Sequence, residues 1–379
     1  MELNLSSVLL ALRGQRIAQL ARTQLPNSAY LFEPLLPTRE LPNYSFKGGS
    51  IKASGTVASA VPMDTPYPEG GFLGISTLEG QTIKFALSVR LPEAVQRRVR
   101  ELLDQIQLGR AVGSPQAILG NAAINFLQDM IVRPHDDQRE YLRARAISEG
   151  LISIRSNNVS IDLDYQVPAA NKLPNRTGAN GYGGTTSQFN ADMQAARTAL
   201  GYNIRGTFMN MQTLDLILLN EANKLVVQDE KISPDGMIRV VRVRRAVKNA
   251  ENITVGFDQD PKFEYTLTGY ARELELRDLA NPANPTIKVP MVNLGRVVVI
   301  GRNYMRRDIL RARVDGVADD DLGYYHVGPT EEGNGNLGRW ATVYQPQGEE
   351  YAVVAKGCEN SAPAFDAPDR VFLLSTAMS

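Results

Sequence analysis

Few residues of this chain have the types and spacing that chemistry requires. Gly333-Asn334-Gly335-Asn336-Leu337-Gly338 carries the letters of a dinucleotide-binding turn. Such a turn holds a pyrophosphate only where a strand precedes it and a helix follows. Here Arg339 to Tyr344 alternates like a strand, with Pro346 and Gly348 close behind, so the segment predicts a flexible turn. Asp319-Asp320-Asp321 and the Asp258-Gln259-Asp260 pair could offer hard oxygen ligands to a divalent cation. Neither continues into a calcium-loop pattern, and solvated loop carboxylates are the simpler reading. Asp162 and Asp164 share one strand face, where exposure to water is expected. The P-loop, nucleophile-elbow and His-Glu-x-x-His patterns are absent from the chain. His135 and His326 have no neighbour in sequence to orient them and read as structural. A single cysteine, Cys358, excludes an intramolecular disulfide framework and a cysteine-rich zinc site. No cofactor and no metal is expected, and nothing points to an enzyme.

The densest basic run is Arg239, Arg242, Arg244, Arg245 and Lys248, interleaved with Val240, Val241, Val243 and Val247. Arg242, Arg244 and Arg245 could neutralise DNA phosphates without reading sequence. The alternation equally predicts a strand whose basic face meets water or another subunit. Over the whole chain 41 basic residues balance 41 acidic ones in 379 residues, which argues against a dedicated nucleic-acid binder. No run reaches the roughly 18 apolar residues of a membrane span, and the N-terminus lacks a signal-peptide pattern.

The elements that must carry these residues fall in a clear order. Residues 6–22 predict an amphipathic helix with Arg13, Arg16 and Arg22 on its basic side. Residues 34–92 are rich in proline and glycine, and Ser50 to Val61 and Thr82 to Val89 read as extended segments around the turn at Pro66 to Gly71. This predicts a long β-hairpin, which needs a partner because an isolated hairpin is marginal in water. Helices follow from Pro92 to Gly109 and from Ser114-Pro115 to about Met130. Pro134 predicts a break or kink, with Asp136 capping a new helix that ends at Gly150. Leu151 to Arg155 and Val159 to Tyr165 predict a hairpin. Residues 166–189 read as a long loop and as the main domain boundary. Beyond it come helices at 191–200 and near 212–226, strands around 238–247 and 263–276, the strand Val297 to Ile300, and a strand-like tail from Trp340 onward.

That order resembles the major capsid proteins of tailed bacteriophages, of the lambda-type (major capsid protein E) family. Four patches carry the resemblance. They are Met63-Asp64-Thr65-Pro66 through Gly71 with the strand to Leu91-Pro92-Glu93, Tyr141 to Ala146 with Gly150 to Ile154, Tyr325 to Glu331, and Pro363 to Leu374. The resemblance implies an α+β Hong Kong 97-like capsid fold. Its parts would be an N-terminal arm at 1–45, an extended E-loop hairpin at 46–92, and a peripheral domain with a spine helix at 93–187. An axial α/β domain at 188–330 and a returning β tail at 331–379 would complete it.

The resemblance further implies self-assembly into pentamers and hexamers of an icosahedral phage head enclosing double-stranded DNA. Pro66, Pro68, Glu69, Gly70 and Gly71 at the hairpin tip would then contact a neighbouring subunit. Implied partners are other copies of the chain, a scaffolding protein, a portal, a decoration protein and packaged DNA, with no membrane. The place implied is the virion capsid, assembled in the host cytoplasm. Some capsids of this fold cross-link Lys to Asn; Lys47, Lys52 and Lys84 lie in the hairpin, with no acceptor identified. An encapsulin-type nanocompartment enclosing cargo enzymes is the alternative shell. A β-rich binding protein or a hydrolase with paired carboxylates stands outside that class.

Overall fold

The computed structural model describes residues 30–46, 50–53, 80–91, 93–108, 114–156, 159–248, 254–258, 263–277, 286–302, 322–347, 353–365 and 367–378. The expected helix at 6–22, the hairpin tip at 66–71 and the Asp319–Asp321 run lie outside these residues. Chain order begins with β1 (Thr38–Glu40), β2 (Ser45–Phe46), β3 (Ser50–Ala53), β4 (Gly80–Gln81) and β5 (Ile83–Arg90). Then come α1 (Glu93–Gln107), α2 (Pro115–Leu127), a π-helical turn (Gln128–Val132) and α3 (Arg133–Glu149). The Ser114 hydroxyl caps α2 by accepting the Ala117 N–H at 3.1 Å.

Pro134 does not break this helical run, and Asp136 caps nothing. A proline ring inside an α-helix collides with the carbonyl four residues back and leaves it without a donor. The wider π turn immediately before Pro134 absorbs that misfit, and Asp136 is spent on a buried ion pair instead. Gly150, in the left-handed conformation at φ 65°, ends the helix.

The hairpin β6 (Leu151–Ser156) and β7 (Val159–Asp164) follows as expected. Residues 166–188 carry only short 3-10 turns. They are held in place by the C-terminal strand, the Leu173 and Arg176 N–H groups donating to the Leu373 and Ser375 carbonyls. The second half runs α4 (Phe189–Ala199), β8 (Ile204–Asn210), α5 (Met211–Leu219), β9 (Leu225–Ile232), β10 (Ile238–Lys248), β11 (Thr254–Phe257) and β12 (Glu264–Tyr270). It continues with β13 (Glu273–Arg277), β14 (Thr286–Pro290), β15 (Arg296–Gly301), β16 (Gly323–Gly328), β17 (Trp340–Tyr344), β18 (Val354–Phe365) and β19 (Val371–Ser375). The helix expected over 212–226 stops at Leu219. There the Asn220 side chain accepts the Ala222 N–H and left-handed Lys224 turns the chain into β9. The strand expected over 263–276 is two strands, parted at Ala271-Arg272.

Among the described residues two large sheets dominate. In the first, β18 pairs with β5 along one edge and with β16 and β17 along the other, and β1 adds in parallel to β16. In the second the order is β9-β10-β12-β8-β15-β19, with β11 also on β10. Among the described residues around the expected E-loop, β2 pairs with β4, β3 joins β7, and β5 joins β18.

Apolar packing forms three clusters among the described residues. One cluster packs Phe32, Leu36, Leu142, Ile147, Tyr165, Tyr325 and Phe365 around α3. A second joins α2 to the first sheet through Leu119, Phe126 and Val343. A third fills the second sheet and its helices with Phe189, Leu214, Leu267, Val299 and Phe372.

Candidate functional site

The described residues gather charge, not nucleophiles, at one place: the inward face of α3. That helix lacks a clean apolar stripe, yet His135, Asp136, Arg139, Glu140 and Arg143 are all buried on it. Arg139 grips Glu359 of β18 with a fork, Nε to Oε1 at 2.8 Å and Nη2 to Oε2 at 2.5 Å. Arg339 reaches the same carboxylate from Nε at 3.3 Å and Asp136 Oδ1 from Nη2 at 2.5 Å. Two guanidiniums thus face two carboxylates, and the buried charges cancel. Burial pushes the Glu359 carboxyl up, but Arg139 and Arg339 overcome it and hold the group far below the usual carboxylate range.

One turn further on, the helix holds the N-terminal segment. Glu140 Oε1 accepts the Phe32 N–H at 2.7 Å, and Arg143 donates from Nε to the Leu36 carbonyl at 2.9 Å and from Nη2 to Thr38 Oγ1 at 2.6 Å. Asp137 accepts from the Tyr30 hydroxyl at 2.7 Å and from Arg272 at 2.6 Å. At its end α3 ties down the second sheet: Glu149 accepts from Asn293 and Arg296, each at 2.6 Å. One helix therefore fixes the first sheet, the N-terminal segment and the second sheet in turn.

The groups that composition singled out are engaged structurally. His135 donates from Nδ1 to the Ile131 carbonyl at 2.7 Å, and burial together with nearby Arg339 lowers its pKa to about 4. His326 donates from Nε2 to the Asn43 carbonyl at 2.7 Å and is likewise lowered by burial. Burial, and then Glu332, push the Cys358 thiol up to about 12, so it is no thiolate at neutral pH. The 333–338 segment is a turn ending in β17, with no helix after it to receive a phosphate. Lys84 is ion-paired with Glu332.

The basic strand β10 is balanced by its own sheet. Arg239 binds Glu230 and Asp215, each at 2.6 Å. Arg242 Nε donates to Glu264 Oε1 at 2.6 Å, and Arg244 stands 3.4 Å from the other oxygen of that carboxylate. Arg245 lies 3.9 Å from Asp258 and over the Phe263 ring. The acidic surface these cations meet belongs to β9, β12, α5 and the residue after β11 of the same chain. Residue pattern alone missed the α3 network. Its one signal was a helical segment dense in charge that no apolar stripe could orient.

No family model matches the sequence, and no curated protein matches it. Solved structures do. A protein assigned as the capsid protein of an E. coli CFT073 prophage superposes with a TM-score of 0.57 at 10% identity, over 96% of this chain and 98% of that one. A phage-related protein of Bordetella bronchiseptica RB50 aligns with a TM-score of 0.46 at 13% identity, over 96% of each chain. The SrpI encapsulin of Synechococcus elongatus PCC 7942 aligns at 0.36 and 10% identity, over 97% of this chain and 96% of that one. With its two large sheets and the helix between them, this chain has the α+β fold of the prophage capsid protein.

Proposed function

We propose that this chain is a major capsid protein of a tailed bacteriophage, assembling as pentamers and hexamers into an icosahedral head around double-stranded DNA. The observation that carries the reading is the superposition on the prophage capsid protein over nearly the whole of both chains. It is supported by the use of the chain's few reactive groups as internal struts: both histidines donate to backbone carbonyls, and the lone thiol is held protonated. A shell subunit needs neither an acid–base pair nor a nucleophile, so its role is structural.

On this reading residues 1–45 form the arm and 46–92 the E-loop. Residues 93–187 form the peripheral domain with α3 as the spine helix, 188–330 the axial domain, and 331–379 the returning tail. Pro66, Pro68, Glu69, Gly70 and Gly71 would lie on a neighbouring subunit. A scaffolding protein, a portal and a decoration protein would be further partners in the host cytoplasm and the virion.

Electron microscopy of the purified protein tests the reading: closed shells are expected. Shells loaded with an enzyme instead of DNA would make it a nanocompartment, and a monomer at every concentration would refute a shell role. Deleting residues 64–72 should leave a folded subunit that no longer closes shells.

A further inference from the structure

The N-terminal segment Tyr30–Thr38 is held on α3 by Glu140 and Arg143, whose opposite charges meet only at 3.8 Å. Glu140 is fully buried. Its Oε1 accepts the Phe32 N–H at 2.7 Å and lies 3.4 Å from the Tyr270 hydroxyl, while its Oε2 has no hydrogen-bond partner among the described residues. The nearest cation, Arg143, has its Nε and Nη2 committed to Leu36 and Thr38, and its Nη1 stands 3.8 Å from Oε2. A buried carboxylate without a bonded cation is costly, and such a group commonly escapes the cost by taking a proton.

We propose that docking of residues 30–38 on α3 is coupled to uptake of one proton, carried on Oε2 of Glu140. Around Glu140 the charged form is favoured by distant Arg143 and by the Phe32 and Leu31 backbone N–H groups. On its own helix, Asp137 is taken by Tyr30 and Arg272, Asp136 by Arg339, and Arg139 by Glu359. From the docked segment Glu33 adds further negative charge. Tyr270 of β12 carries only a hydroxyl, and Tyr325 of the first sheet lies beneath the Arg143 guanidinium. Burial raises Glu140 to about 7 against the opposing pull of Arg143.

The sign follows from linkage: a carboxyl raised in the docked state binds its proton more tightly there than when the segment is free. Docking is therefore strongest in acid, weakens as pH rises from the ordinary carboxylate range to about 7, and then levels off. In the protonated state Oε1 still accepts the Phe32 N–H. Above neutrality the same contact survives at the expense of a buried charge. The coupling is a property of the single subunit and does not depend on shell formation.

Hydrogen exchange at the Phe32 amide of the full chain tests the coupling, with rates divided by the intrinsic rate at each pH. Protection is expected to fall by up to about tenfold per pH unit between pH 5 and 7 and then to plateau. Glu140→Gln, neutral at every pH, should flatten this profile and match or exceed wild-type protection at pH 7.5. Wild-type protection that is constant across pH 5–7 would overturn the proposal. So would a Glu140→Gln protein that folds yet leaves the Phe32 amide open at all pH values, since the contact would then need the charge. The wild-type profile decides the matter by itself should the variant not fold.

Discussion

Arg139 and Glu359 stand 220 residues apart and meet in a fork of hydrogen bonds of 2.5 to 3.1 Å, both side chains nearly withdrawn from water. Arg339 leans on the same carboxylate, so the middle of the first sheet is clamped to α3 through one acidic group. Burying four charges gains little net stability over an apolar core of the same shape. Its effect is directional, because these partners fit in one register of β18 against the helix.

Glu359→Gln should therefore be more damaging than its size suggests, since it leaves two buried guanidiniums facing Asp136 alone. Breaking a buried pair from one side costs about 3–5 kcal/mol. A loss of that size in urea unfolding of the subunit is expected. Arg139→Met combined with Glu359→Leu should recover part of it, by removing both charges of the fork. A Glu359→Gln loss under about 1 kcal/mol would mean that the clamp is not holding the sheet.

Part of the acid sensitivity should trace to His135. Burial and Arg339 lower this imidazole to about 4 from its usual 6.5, so the unfolded chain binds a proton over an interval where the folded chain does not. Stability attributable to His135 is complete above the unfolded value and is lost as pH falls toward 4. The slope is at most about 1.4 kcal/mol per pH unit. Glu140 acts in the opposite sense over an overlapping range, so the measurement must be a difference. Urea midpoints of wild type and His135→Gln, compared from pH 7 to 4.5, should converge as pH falls.

What could be read from the residues was local. Ser114-Pro115 announced the start of α2, Gly150 the end of α3, and Ser156-Asn157-Asn158 the reversal between β6 and β7, because each signal acts within a few residues. Pro134 marked a true irregularity, the π turn one step upstream, but Asp136 misled, since it caps no helix. Residues 220–226 misled as well, because a short partly apolar run cannot distinguish helix from strand until a partner such as β10 is known. The α3 network was invisible for the same reason. Arg339, Glu359 and the 30–38 segment reach that helix only through the fold, and they turn a polar helix face into an interior one. The strands flanking the expected E-loop were legible as strands, yet their partners β7 and β18 were not.

Two glycines with one backbone geometry separate strain from space. Gly150 and Gly201 both sit at φ +65°. A Cβ on Gly150 would come within 2.5 Å of Val167 Cγ2, whereas one on Gly201 would meet nothing within 4 Å. Gly201→Ala should cost only the left-handed penalty, about 1–2 kcal/mol. Gly150→Ala should cost that plus about 1–3 kcal/mol for crowding a stiff, buried valine. Equal losses in chemical unfolding would show that Val167 yields at the junction between α3 and β6.

The basic face of β10 makes the sharpest prediction about DNA. Glu264 accepts from Arg242 and stands beside Arg244, so neither guanidinium is free to neutralise a phosphate without losing an existing partner. Such partly exposed pairs add only about 0–1 kcal/mol each to stability. Arg242→Gln with Arg244→Gln should therefore barely change unfolding. Binding of the unassembled subunit to a random duplex, followed by fluorescence anisotropy across a salt series, should show an unchanged salt slope for this double variant. Glu264→Gln should do the reverse, releasing both cations and steepening the slope by about one to two counterions. If instead the double variant loses about two counterions of slope while Glu264→Gln changes nothing, the strand meets DNA directly and its pairing with Glu264 is incidental.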